Sequence, residues 1–217
     1  MQGAAAMKMH SAVALDEILK TVKALNIISI ADEVMTGFGK TGKNFASEFM
    51  QTLPDIICLS KSLTGGLVPM AITSCSNAIY DAFLSSKMEH GFFHGHTYSA
   101  NPTSCTAALA SLELLQSESI QKNMQMVQKS HEHFNDKIKN HPKVKSTRQQ
   151  GIIYAIDYNV KSDRYGDLRY KLFDFFMTCG VYLRPLGNTV YILAPFTINE
   201  NELQKIYDAI EKSLEII

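Results

Sequence analysis

Two short apolar runs, each ending in charged residues, constrain the fold of this 217-residue chain more than any other feature. The first run, residues 27–33, ends in Asp32 and Glu33, and the second, residues 55–61, ends in Lys61. The segment between them is far too long for a hairpin turn and contains a short helical stretch. We therefore predict two parallel strands whose carboxyl ends lie along one edge of a sheet.

Helical and apolar segments alternate along the rest of the chain. The apolar spacing predicts helices at residues 11–25, 102–115, 120–140 and 168–179, and further strands at 70–74, 144–148, 152–157, 181–184 and 190–193. Asn199, with Glu202 three residues later, predicts a capped final helix. The resulting fold class is α/β. Residues 1–120 form part of a parallel-sheet large domain, and residues 121–217 form a connector helix and a small α+β domain.

The predicted parallel sheet has few strands for one that is covered on both faces. The chain also begins almost within a packed element. We therefore expect that the N-terminal part of a larger protein lies outside this sequence.

Charge and composition exclude several classes of function. Lys and Arg number 21, as do Asp and Glu, so the net charge is zero, which argues against nucleic acid or an anionic membrane as a partner. No apolar run is long enough to span a bilayer, and the N-terminus lacks the pattern of a signal peptide. The four cysteines are widely spaced and do not cluster with histidine. We therefore expect buried, reduced thiols in the cytoplasm and no metal site.

Asp32 and Lys61 together suggest the chemistry of pyridoxal 5'-phosphate (PLP). A carboxylate beside the pyridine nitrogen keeps that nitrogen protonated, and a lysine amine bonds to the aldehyde and later carries a proton. Gly65 and Gly66 would let the main chain approach a flat cofactor. Considered singly, the Asp32–Glu33 pair is more often a solvated strand end, and Lys61 a surface lysine.

The glycine-rich segment that follows the first run matches two nucleotide-binding patterns in part. Residues 37–42 fit G-x-G-x-x-G, and residues 37–43 nearly fit a P-loop. However, the next strand ends in Lys61 where a ribose-binding acid is needed. Asn44 stands where a P-loop has Ser or Thr for magnesium. We interpret the segment as a loop near the active site.

Three segments resemble the motifs of class III aminotransferases. Residues 30–42 (IADEVMTGFGKTG) resemble the aspartate motif, residues 55–66 (DIICLSKSLTGG) the lysine motif, and residues 94–102 (HGHTYSANP) the segment that reaches the cofactor phosphate of the neighbouring subunit. The resemblance extends over essentially the whole chain. It implies the C-terminal part of a fold-type I PLP-dependent transferase fold, in a homodimer with active sites at the subunit interface.

The resemblance assigns a role to each matching residue. It implies that Asp32 pairs with the pyridine nitrogen, that Val34 packs on a face of the ring, and that Lys61 is the catalytic lysine bonded to the cofactor. Thr97, with the main chain of His96, would bind the phosphate across the dimer, and Gly95 would lie against substrate. Without the resemblance, Thr97 is as easily explained as a cap or turn hydroxyl.

A fourth segment narrows the comparison within the family. Residues 183–191 (LRPLGNTVY) are similar to a motif of the member that acts in biotin biosynthesis. There the arginine, here Arg184, binds the carboxylate of the keto substrate, which suits a guanidinium fork. The implied reaction converts 8-amino-7-oxononanoate to 7,8-diaminononanoate, with S-adenosylmethionine as amino donor. A structural salt bridge is the alternative role for Arg184.

Two alternatives stay open at this stage. The first is another class III enzyme, acting on ornithine, 4-aminobutyrate or a different ω-amino substrate. The second is a fragment that folds and dimerises without catalysis. The family's phosphate cradle and ring-stacking aromatic residue lie in an N-terminal half that this sequence lacks. On this basis the isolated chain is expected to bind PLP weakly or not at all.

Overall fold

The computed structural model describes all 217 residues, whose contacts cluster into two units. His10–Gly39 and Lys43–Gln116 form what we call the parallel-strand unit. Met1–Met9, Lys40–Gly42 and Ser117–Ile217 form what we call the antiparallel unit. The division into domains 1–120 and 121–217 concerns the whole protein and stays a prediction.

The parallel-strand unit opens with helix α1 (Ala12–Ala24), whose N-terminus is capped by the Ser11 hydroxyl. Strand β1 (Ile30–Asp32) then pairs in parallel with β2 (Ile56–Leu59). Between the two strands lies a short 3-10 helix, Ala46–Phe49. The parallel pairing of the two apolar runs is therefore confirmed, although each strand is shorter than its run.

Ser29 and Asp55 join the starting ends of these two strands. The main-chain N–H and hydroxyl of Ser29 donate to one Asp55 carboxylate oxygen at 2.8 and 2.7 Å, and the Asp55 N–H donates to the Ser29 carbonyl at 3.0 Å. Lys23, near the end of α1, lies 3.4 Å from the other carboxylate oxygen. These contacts set the register in which β1 meets β2.

The third strand is antiparallel, whereas the prediction of a parallel sheet in residues 1–120 implied a parallel one. Strand β3 (Ile72–Cys75) pairs with β2 in antiparallel fashion, because residues 60–71 make tight turns instead of a crossover helix. Next come the five-residue helix α2 (Asn77–Asp81) and helix α3 (Pro102–Gln116). The Asn101 side chain accepts from the Ser104 N–H at 3.1 Å and so caps the start of α3.

The elements of the antiparallel unit are α4 (Glu118–Ile138), β4 (Val144–Gln150), β5 (Ile153–Tyr158), α5 (Asp167–Thr178), β6 (Thr189–Leu193) and α6 (Glu200–Ile216). The three strands form an antiparallel sheet in the order β4-β5-β6. Helix α6 packs against α4 and α5, and α4 also packs against β4. The final capping box is confirmed, since Asn199 and Glu202 exchange hydrogen bonds at 2.9 and 3.0 Å.

Strand β5 is the centre of the core of the antiparallel unit. Its side chains from Ile153 to Ile156 are completely buried. His131 of α4 is also completely buried and bonds to the Tyr207 hydroxyl at 2.7 Å and to the Ile152 carbonyl at 3.0 Å. Because a carbonyl only accepts, Nε2 of His131 donates to Ile152 and Nδ1 accepts from Tyr207.

Two further predictions were wrong. Residues 181–184 form no strand, because β6 pairs with β5 and only a single bridge, Leu186 to Thr189, forms around the Gly187 turn. All four cysteines are unpaired, but none is buried, and Cys75 is exposed.

None of the helices combines the length and the apolar character that crossing a membrane requires.

Candidate active site

Asp32 and Lys61 lie at the same edge of the sheet in the parallel-strand unit. Asp32 is the last residue of β1, and its Cα is paired with that of Cys58 on β2, three residues before Lys61. Paired strands lie about 4.8 Å apart, so both residues leave the sheet at neighbouring positions. This edge is where parallel sheets bind ligands.

The Asp32 carboxylate is exposed and only partly engaged. One of its oxygens, Oδ1, accepts a hydrogen bond from the Val34 N–H at 3.0 Å. This bond closes a turn between the Asp32 side chain and the main chain two residues later. The carboxylate has no ion-pair partner, so its second oxygen is available to a donor outside the chain. Val34 itself is half-buried.

Glu33 differs sharply from its neighbour Asp32, although the sequence grouped them as one solvated strand end. Glu33 is only 3% exposed. Its carboxylate accepts from the N–H groups of Ala46 at 2.6 Å and Ser47 at 2.7 Å and from the Thr36 hydroxyl at 3.1 Å. A buried carboxylate requires such donors, and here they close the loop between residues 33 and 47.

Lys61 is the first residue of a compact turn, and its side-chain amine is exposed and unpaired. The Ser60 hydroxyl donates to the Met70 carbonyl at 2.9 Å, and the Thr64 hydroxyl donates to the Val68 carbonyl at 2.6 Å. Gly66 has a φ of +85°, and no atom lies within 4 Å of the position that a Cβ would occupy. The main chain after Lys61 is therefore held by its own turn and faces open space at Gly66.

Gly95, His96 and Thr97 lie together in an exposed segment that precedes α3. His96 shapes the segment: its N–H donates to the Ser99 hydroxyl at 3.2 Å, and its Nδ1 accepts from the Tyr98 N–H at 3.2 Å. A cavity of about 680 Å³ lies beside the segment. It is lined by Val68, Pro69, Met70, Ala71, His94, His96, Tyr98, Ser99, Ala100, Asn101, Thr103 and Ser104.

The main chain of the glycine-rich loop is already engaged by protein. The Ile152 N–H donates to the Lys40 carbonyl, and the Gln150 amide donates to the Thr41 carbonyl, both at 3.1 Å. A Cβ at Gly151 would lie 2.3 Å from the Gly42 nitrogen. The loop is packed against the β4–β5 turn through these contacts.

Arg184 belongs to the antiparallel unit, whereas the other predicted site residues belong to the parallel-strand unit. It is exposed and lies between buried Leu183 and Pro185, and no carboxylate pairs with it. Both roles considered for Arg184, binding of the substrate carboxylate and a structural salt bridge, stay predictions.

The structure therefore groups the predicted site residues in three places. Asp32, Val34 and Lys61 share the edge of the β1–β2 sheet, and Arg184 lies in the other unit. The remaining predicted residues, Gly95, His96 and Thr97, lie in the exposed segment before α3. The sequence did not reveal the burial of Glu33, because its partners lie up to fourteen residues away.

Comparison with known proteins identifies the family. The sequence model described as "Aminotransferase class-III" matches residues 1–214. An adenosylmethionine-8-amino-7-oxononanoate aminotransferase of Synechococcus elongatus is 44% identical over 221 residues, covering all of this chain and 51% of the relative. The same enzyme from Buchnera aphidicola subsp. Schizaphis graminum is 35% identical, over 99% of this chain and 48% of its own length.

Solved structures agree with this result. The adenosylmethionine-8-amino-7-oxononanoate aminotransferase of Methanocaldococcus jannaschii superposes with a TM-score of 0.83 at 32% identity, over 93% of this chain and 48% of that one. An amine transaminase from an uncultivated Pseudomonas species, solved in its PLP-bound form, gives a TM-score of 0.85 at 29% identity, over 94% and 48%. The chain spans about half the length of these relatives. The chain belongs to the class III aminotransferase family, and its fold is that of the matching part of these PLP-dependent enzymes.

Proposed function

We propose that the whole protein is a PLP-dependent aminotransferase that converts 8-amino-7-oxononanoate to 7,8-diaminononanoate in biotin biosynthesis, with S-adenosylmethionine as amino donor. The relatives with this name are 44% and 35% identical to nearly the entire chain. The observation that carries the proposal is the parallel register of β1 and β2, which puts Asp32 beside the strand that leads to Lys61.

The residues at this edge suit the cofactor. Asp32 has a free carboxylate oxygen for a protonated ring nitrogen, and Lys61 has an unpaired amine for an aldehyde. Beyond Lys61, the glycine main chain at Gly66 leaves room that a side chain would fill. These three features are the chemical complements of a flat, charged aromatic aldehyde.

PLP supplies, when bound, an electron-accepting ring that stabilises negative charge next to the substrate nitrogen. Each residue of the chain then has a simple task. Asp32 holds a proton on the ring nitrogen, Val34 packs on the ring, and Lys61 anchors the cofactor and moves a proton. Thr97 and the main chain of His96 are proposed to bind the phosphate, and Gly95 to lie against substrate.

Arg184 is proposed to bind the carboxylate of the keto substrate. Its guanidinium is exposed, permanently charged and not neutralised by an acid of this chain. A bidentate contact to the substrate carboxylate would fix the position of the acceptor ketone. In the whole protein, R184K is expected to raise the KM for 8-amino-7-oxononanoate about tenfold and R184A more, because Lys keeps the charge and loses the fork.

We also propose that the protein works in the cytoplasm as a homodimer with its active sites at the subunit interface. The segment of residues 94–100 supports this proposal, because every residue in it is exposed and so open to contact with a second subunit. The predicted domains, residues 1–120 for cofactor binding and 121–217 for the connector helix and small domain, belong to the same proposal.

The decisive experiment measures amination of 8-amino-7-oxononanoate by the whole protein with PLP, using mass spectrometry to detect 7,8-diaminononanoate. S-Adenosylmethionine, lysine, ornithine and 4-aminobutyrate are compared as donors. We expect turnover with S-adenosylmethionine. If no donor supports turnover of this acceptor, the biotin assignment is wrong, and activity with ornithine or 4-aminobutyrate on other keto acids would identify the substrate class instead.

Two variants test the residue roles in the same assay. K61A removes the amine that anchors the cofactor, and D32N removes the charge at the ring nitrogen, so each is expected to lower kcat about 100-fold or more. K87A alters an exposed lysine of the same unit and is expected to leave kcat unchanged. Normal turnover by K61A would refute the proposal.

A further inference from the structure

Glu33, whose burial the sequence did not reveal, is joined through its main chain and side chain to three separate parts of the site. We propose that Glu33 is a positioning residue, which fixes the main chain around Asp32 and so aims the Asp32 carboxylate at the cofactor. This inference rests on the proposed function of Asp32. Glu33 itself touches neither the substrate nor the cofactor, because its carboxylate is enclosed by protein donors.

Asp32 has little to hold it in place on its own. Its side chain is exposed, and its one hydrogen bond goes to the N–H of Val34, only two residues away. That bond exists only while the main chain between Asp32 and Val34 keeps its turn. The direction of the carboxylate therefore depends on whatever fixes this stretch of main chain.

The main chain of Glu33 is fixed on both sides. Its N–H donates to the Cys58 carbonyl on β2 at 2.9 Å, and its carbonyl accepts from the Gly37 N–H at 3.0 Å. A Cβ at Gly37 would lie 3.0 Å from that carbonyl and 3.1 Å from a methyl group of Leu59, so the turn closes tightly. These bonds tie the residue after Asp32 to the strand that leads to Lys61.

The Glu33 side chain adds a third attachment. Its carboxylate accepts from the start of the 3-10 helix at Ala46 and Ser47 and from the hydroxyl of Thr36. All three partners are donors, so the site requires a group that only accepts. Glutamine has the same shape, but its amide nitrogen would face an N–H donor in either orientation, which leaves a buried donor unsatisfied.

The test uses the ¹⁵N-labelled 217-residue chain and needs no cofactor. In the wild type, the Val34 amide is expected to exchange slowly with solvent, because its N–H donates to the Asp32 carboxylate. D32A removes this acceptor and should make the exchange faster, which identifies Asp32 as the group that protects the amide. E33Q should make exchange of the Val34 amide about tenfold faster.

E48Q is the matched control, since Glu48 is exposed on the same 3-10 helix. It should leave the exchange of the Val34 amide unchanged. The amides of α1, in the same unit, report whether each variant is folded. A folded E33Q with the wild-type exchange rate at Val34 would overturn the proposal and leave Glu33 with a structural role alone.

T36V keeps the test decisive if E33Q does not fold. It removes one of the three donors to Glu33 and leaves the two main-chain donors, so a smaller change of the same kind at Val34 is expected. A folded T36V with unchanged Val34 behaviour would then contradict the proposal.

A separate arm keeps this inference distinct from the proposed function. The whole protein is incubated with PLP and reduced with borohydride, and peptide mapping measures the adduct at Lys61. A wild-type protein without the adduct would count against the proposed function, whereas the Val34 measurement would still decide whether Glu33 orients Asp32.

Discussion

The two units of the chain differ most in how completely each buries its apolar side chains. In the antiparallel unit, all the side chains of central strand β5 except Asp157 are buried. In the parallel-strand unit, every residue of β3 is exposed, as are large apolar residues such as Leu67, Phe92 and Phe93. The predicted cofactor residues Asp32 and Lys61 thus lie in the unit that leaves more of its large apolar side chains exposed.

Glycine substitutions should show the largest contrast between the units. Gly151 has a φ of +59°, and a Cβ there would lie 2.3 Å from main-chain atoms of Thr41 and Gly42. G151A is therefore expected to cost more than about 4 kcal/mol of unfolding free energy. G66A meets only the backbone strain at its φ of +85°, and should cost about 1 kcal/mol. Urea denaturation followed by tyrosine fluorescence measures both, and equal costs would break the comparison.

Isoleucine truncations in the two sheets come next in size. Ile156 on β5 is 0% exposed, whereas Ile72 on β3 is 40% exposed. We expect I156A to lose about 3 to 4 kcal/mol through lost burial and a cavity, and I72A about 1 kcal/mol. Denaturation of the two variants under identical conditions provides the measurement. A similar loss for I72A would show that β3 is packed more tightly in solution than its exposure indicates.

The response to acid should separate the units through His131. Burial lowers the pKa of His131 to about 4 from its usual 6.5, although the hydrogen bond with the Ile152 carbonyl opposes this shift. An unfolded chain then binds the proton more readily, so the contribution to stability is complete above pH 6.5 and is lost as pH falls towards 4. The full loss is about 3 kcal/mol.

Asp16 of the parallel-strand unit behaves differently over the same range. The Thr52 N–H, donating at 2.7 Å, and then Lys20 lower the pKa of its carboxyl to about 2 from 3.8, so its contribution is lost only between those values. Hydrogen exchange between pH 6.5 and 4 should therefore show weakening of the antiparallel unit that H131Q removes. H133Q, at an exposed histidine of the same helix, should retain it.

Helix caps should give the smallest contrast. Asn199 takes part in a complete capping box, with hydrogen bonds of 2.9 and 3.0 Å, whereas Ser11 makes a single bond of 3.4 Å to the Ala14 N–H. N199A is expected to cost about 1 kcal/mol and S11A about half as much. Differences in denaturation midpoint are sufficient to rank them, and a larger effect for S11A would reverse the order.

Local patterns predicted much of this fold. The cap of α6 and the parallel pairing of β1 with β2 follow from short-range chemistry and apolar runs. The direction of β3 could not be predicted, because it depends on the turns that residues 60–71 adopt. Residues 181–184 have a strand-like alternation of buried and exposed side chains, yet they have no neighbouring strand to pair with.

The candidate site shows the same limit. The positions of Asp32 and Lys61 at strand ends follow from the apolar runs. The exposure of Asp32 and the burial of its neighbour Glu33 do not. Glu33 is buried because donors 13 and 14 residues later fold back onto it. Contacts between residues so far apart in the sequence cannot be predicted from apolar periodicity or motif spacing.

The contacts that residues 40–42 of the glycine-rich loop make with the antiparallel unit determine what happens when a protease cleaves the chain. Lys40–Gly42 belongs to the antiparallel unit, while the residues on either side belong to the other. Arg148 likewise holds the first residues of the chain through the carbonyls of Ala6 and Met7. A protease that cuts between Gln116 and Ser117 is therefore expected to leave two fragments that stay bound to each other without a covalent bond. Residues 1–9 and 40–42, which contact β4 and the β4–β5 turn, belong to the N-terminal fragment, whereas β4 and β5 belong to the C-terminal one.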